Sequence, residues 1–167
     1  MADYYPYRIS HGGSHLTLIW RSGEGDAPNE VAVDGRGGLL AFPDLRTLEE
    51  HCARNGWELI REGGAALDLA VVRQWVERPD LDPVPAGLLL EAWNFFEDLS
   101  SSLKAGPPLP SQGPLHDNAY EKIFGGDALG PTTCRGAWTE EEAAAVRELL
   151  RMGLDLWERA VGGSRIR

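Results

Sequence analysis

The chain has 167 residues, 43% of them hydrophobic and 25% charged, with a formal net charge of −10 at pH 7. A chain of this length buries enough surface to fold without a disulfide or metal staple, and its composition is that of a globular protein. The excess of acid argues against nucleic-acid binders, which need a basic surface, and against docking on an anionic membrane. It favours a basic protein partner, whose approach it would speed.

The amino terminus, MADYYPYRIS, lacks an apolar signal core, and no apolar run approaches a membrane span. Cys52 and Cys134 form neither a zinc motif nor a disulfide framework. Fourteen arginines against two lysines fit a GC-rich source. The expectation is a reduced, bacterial cytoplasmic protein.

Tyr5–Ser10 and His15–Trp20 read as strands, the second closed by Ser22-Gly23-Glu24-Gly25. Glu30–Asp34 alternates and leads through an Asp-Gly turn into Gly38–Phe42. An antiparallel sheet of three to five strands follows from these short runs and turns. Asp44 caps a helix carrying Leu45, Leu48 and Cys52 on one side, and Asn55-Gly56 stops it. Trp57–Ile60 is a further short strand. Asp68 caps a second helix running to about Glu77, which Pro79 and Pro83 end.

The second half is helical. From Leu88 to Leu103 the apolar residues, among them Trp93, Phe95, Phe96 and Leu99, fill an arc of about 160°. Glu91, Asn94, Glu97, Asp98 and Ser101 gather on the other side, where Asn94 and Asp98 are expected to face water. The stretch between Lys104 and Leu115 is too rich in Pro and Gly to be regular. His116–Phe124 reads as a short helix with Tyr120, Ile123 and Phe124 inward. In the last helix Thr139 and Glu142 make a capping box, and a stripe runs from Val146 to Val161. Gly153 lies in that stripe, which predicts another backbone passing close by. The fold class is therefore α+β. An antiparallel sheet with one or two helices occupies residues 1–82, and a helical part over residues 83–167 shares its core in one compact domain.

Chemistry is sparse. His11 and His15 are the one cluster of classical metal ligands, but Gly12-Gly13 breaks any helix that would align them, so no metal is expected. Gly35-Arg-Gly-Gly38 sits between strands and lacks the Lys-Ser/Thr of a phosphate loop. No nucleophile elbow or zinc-protease motif is present, and no cofactor is expected. Six tryptophans are many for this length. Most belong to apolar stripes, leaving Trp20 and Trp57, at strand ends, as candidates for a partner surface. The sequence thus favours a non-enzymatic acidic protein that binds a protein partner, with an immunity-type inhibitor as one concrete form. The alternative is an enzyme or small-ligand protein with a site between sheet and helices, lined by Tyr120, His116, Asp98 and Asn94.

Overall fold

Apolar residues at alternate positions, Tyr5, Tyr7 and Ile9 and then Leu16, Leu18 and Trp20, produce a hairpin. Strands β1 (Tyr4–His11) and β2 (Ser14–Arg21) pair antiparallel, with Tyr7 opposite Leu18 and Arg8 opposite Thr17. Gly13 turns the chain at φ 84°, a conformation that costs glycine little. A computed structural model describes residues 3–11, 13–27, 29–60, 65–78, 86–103, 113–122 and 139–163. Strand β3 (Glu30–Val31) pairs antiparallel with β2, and β4 (Ala65–Asp68) pairs parallel with β1. The order is β3-β2-β1-β4.

The sheet is therefore mixed. Strand β4, with the sequence AALD, lacks the β-branched and aromatic residues that mark a strand, and its place depends on tertiary pairing. Conversely, Gly38–Phe42 and Trp57–Ile60 contribute only isolated bridges, Val33 to Leu39, Thr17 to Phe42 and Tyr4 to Leu59.

The helical signals translate directly. Helix α1 (Leu45–Arg54) starts where Asp44 accepts the Thr47 N–H at 2.8 Å, and Gly56 follows its end at φ 68°. Helix α2 (Leu69–Glu77) starts where Asp68 accepts the Ala70 N–H at 3.0 Å. Helices α3 (Ala86–Leu103) and α4 (Pro114–Lys122) precede α5 (Glu140–Gly163). At the start of α5 the Thr139 N–H donates to Glu142 Oε1 at 2.9 Å, and the Glu142 N–H donates to Thr139 Oγ1 at 3.1 Å. Ile123, Phe124, Cys134 and Trp138 lie outside the described residues.

Alternation along the strands divides the core in two. On the front face Tyr7, Ile9, Leu18, Val31 and Leu67 pack with the apolar stripes of α2, α3 and α5. Trp93, Phe96 and Leu99 of α3 and Leu149, Leu150 and Trp157 of α5 belong to this one cluster, so the sheet and the carboxy-terminal helices share a core. On the back face α1 packs Leu48 and Cys52 on Ile19, Leu40 and Phe42. Gly153 is a close-approach site as expected, but its neighbour is a side chain. A Cβ there would overlap the Phe96 ring. Among the described residues no helix is long and apolar enough to cross a membrane.

Candidate functional site

The polar side of α3 is not uniformly wet. Glu91, Asn94 and Asp98, at spacings of three and four, form a row beside the front-face core. Asn94 is exposed, and its Oδ1 accepts the Tyr120 hydroxyl of α4 at 3.1 Å. Asp98 is half-buried and reaches across to β2, where the Trp20 indole N–H donates to its Oδ2 at a long 3.4 Å. Burial pushes the Asp98 carboxyl up to about 6, against the pull of the indole, and Glu97 pushes it further in the same direction. Desolvation also raises Glu91.

Below this row lies Tyr7, which the sequence marks only as a core residue of a strand. Burial raises its phenol, and the charges of Glu91 and Asp98 raise it more. Tyr5 adds an aromatic wall, its ring 5.4 Å from that of Trp20. Both carboxyls are partly desolvated, two turns apart along one side of α3, and no cation enters among the causes of their shifts. The i, i+3, i+7 spacing of Glu91, Asn94 and Asp98 was visible in the sequence. The inward lean of Asp98 was not, because it depends on an indole 78 residues away.

Of the residues expected to line a site between sheet and helices, Tyr120 and Asn94 meet directly, and Asp98 follows Asn94 one turn along α3. His116 stands apart. Its Nδ1 accepts the Gly113 N–H at 3.2 Å, closing the first turn of α4, and its ring abuts the Trp93 ring edge-on at 6.3 Å. Trp93 is fully buried, and its indole N–H has no acceptor among the described residues. The Tyr120 ring, 5.1 Å away at 86°, borders it as well.

The two candidate surface tryptophans lie on opposite faces of the sheet. Trp20 is half-buried at the α3 flank. Trp57 stacks on Tyr4 at 4.9 Å beside the back-face core and lines a cavity of about 470 Å³ with Arg21 and Glu58. They do not form one aromatic surface. His11 and His15 are likewise separated by strand alternation: His11 Nε2 accepts from Arg73 Nε at 3.4 Å, whereas His15 Nδ1 faces Ser10 Oγ at 3.2 Å. Among the described residues no three His, Cys, Asp or Glu side chains gather as metal ligands would.

No family model matches the chain, and no curated protein is significantly similar to it. Among solved structures, the crystal structure of the C-terminal domain of SatS in complex with bromine resembles it at a TM-score of 0.50 and 18% identity. The likeness covers 95% of this chain and 91% of that one, and at such identity it speaks for the fold alone.

Proposed function

We propose that this chain is a non-enzymatic protein that docks a basic protein partner on the acidic flank of α3, working in a bacterial cytoplasm. The observation that carries this reading is the pair Glu91 and Asp98. Both carboxylates are raised by desolvation, and neither shift includes the relief a nearby cation would give. A guanidinium or ammonium group from a partner would supply that relief. Trp20 and Tyr120 border the row, and aromatic residues are enriched at protein interfaces. The overall charge of −10 would steer such a partner inward. The buried free thiol of Cys52 suits a reducing compartment. An inhibitor that covers the basic surface of a toxin is one concrete form of this role.

The test is capture from native lysate with tagged wild type and with the Glu91→Gln/Asp98→Asn variant, at low and high salt. A basic protein held by wild type at low salt should be weakened roughly tenfold or more in the variant. Equal retention by both chains, or a partner that is itself acidic, overturns the reading.

One observation favours a ligand-binding or catalytic site on the same flank. A carboxyl raised to about 6 is suited to proton transfer near neutrality. That alternative requires a small molecule, rather than a protein, to perturb the Asp98 and Tyr7 resonances.

A further inference from the structure

The back of the sheet holds a second cavity, of about 480 Å³, that the docking reading does not use. Its origin is geometric. Strands β1 and β2 have eight residues each and extend about 26 Å. Helix α1 has ten and spans about 15 Å. It packs on Ile19 and Phe42, and its first residue Leu45, with Pro43 and Asp44, forms one wall of the cavity, which Arg8, Thr17 and Ala66 of the sheet also line.

Three side chains at this step lack the company they would have in a finished core or a fully paired surface. Leu45, in the first turn of α1, is 42% exposed, the one large apolar side chain so exposed among the described residues. Thr17 is only 9% exposed, and its backbone N–H and C=O are both bonded to Phe42, at 2.8 and 3.0 Å. Thr17 lines the cavity, yet its hydroxyl has no hydrogen-bond partner among the described residues. Arg8 lines the same cavity and makes no ion pair with any described carboxylate, in a chain with 26 acidic residues.

We propose that this cavity binds a small carboxylic acid in its anionic form, with a compact apolar body. Arg8 supplies the planar fork that matches a carboxylate, and the Thr17 hydroxyl supplies a further donor. His15, held at Nδ1 by Ser10, adds a polar group at the same rim. Pro6, Pro43, Leu45 and Ala66 provide the apolar walls. The volume falls within the range of about 300–1,000 Å³ usual for small-molecule sites. Asp44, the one acid on the wall, is engaged through Oδ1 with the N–H and hydroxyl of Thr47, and it sits at the positive end of α1.

The test is a titration of the ¹⁵N-labelled full chain with benzoate and hexanoate, using benzamide and hexanamide as neutral counterparts. The expected result is amide shifts confined to Arg8, Thr17, Leu45, Ala66 and their neighbours, from the carboxylates in preference to the amides. Arg8→Gln, on an exposed strand position that leaves the core untouched, should weaken carboxylate binding roughly tenfold or more. The Glu91→Gln/Asp98→Asn variant should bind the carboxylates as wild type does, which separates this site from the docking flank. Absence of shifts at millimolar carboxylate, equal shifts from the amides, or unchanged affinity in Arg8→Gln overturns the proposal.

Discussion

The two faces of the sheet are made from alternate residues of the same strands, yet among the described residues one is covered by three helices and the other by one. The front face meets α2, α3 and α5, and its cluster runs without interruption from Tyr7 of β1 to Trp157 of α5. Among the described helices only α1 packs on the back face, in a small cluster bordered by half-buried Tyr4, Trp57 and Leu59. Side chains with unspent polar capacity lie where coverage stops: Asp98 at the flank of α3, and Thr17 and Arg8 beyond the start of α1. In this chain the margins of the core, rather than any local motif, place the groups on which both proposals rest.

If that contrast is real, the two faces should differ in stability. Phe96→Ala removes a fully buried ring from the front cluster and should cost about 3–5 kcal/mol, read as a lowered urea midpoint at unchanged m-value. Leu48→Ala, equally buried but in the smaller back cluster, should cost about 2–3 kcal/mol, because its half-buried border can relax inward. Equal costs would break the comparison.

The elements with strong local signals were legible in the sequence. The Asp44 and Asp68 caps, the Thr139–Glu142 box and the Asn55-Gly56 stop all act within four residues, so the chain's immediate neighbourhood decides them. Strand β4 was not legible, since AALD is a strand only because β1 offers it a parallel edge. The candidate site was half legible. Helical spacing puts Asn94 and Asp98 on the polar side of α3, but whether a residue at the rim of a stripe faces water depends on what lies across from it. Trp20 lies across from Asp98, and strand periodicity alone gives no hint of that pairing.

Gly153→Ala tests how tightly the front face is finished. Alanine gains about 1 kcal/mol in helix propensity, but its Cβ enters the space of the Phe96 ring, which has no solvent to retreat into. The net expectation is a loss of about 1–2 kcal/mol by urea denaturation, restored in part by Phe96→Leu in the same chain. A stabilised single variant would mean that the front core has slack.

The smallest expected effect concerns the flank itself. The Asp98 carboxyl sits at about 6 in the folded chain against 3.8 for the ordinary group, so folding favours its protonated form. Its contribution to stability is therefore full below about pH 4 and is lost as pH rises through about 6. Asp98→Asn stays neutral throughout and retains an acceptor for the Trp20 indole. It should be more stable than wild type near pH 7 by roughly 1 kcal/mol, a figure reduced for solvent screening of a half-exposed group, with the advantage vanishing below about pH 4. Paired urea titrations across that range read the difference. A variant less stable at neutral pH would show that the carboxylate already has a stabilising partner within the chain. A more stable one would show that the unbound fold carries a destabilising charge, which is the expected signature of a group kept for recognition at the expense of stability.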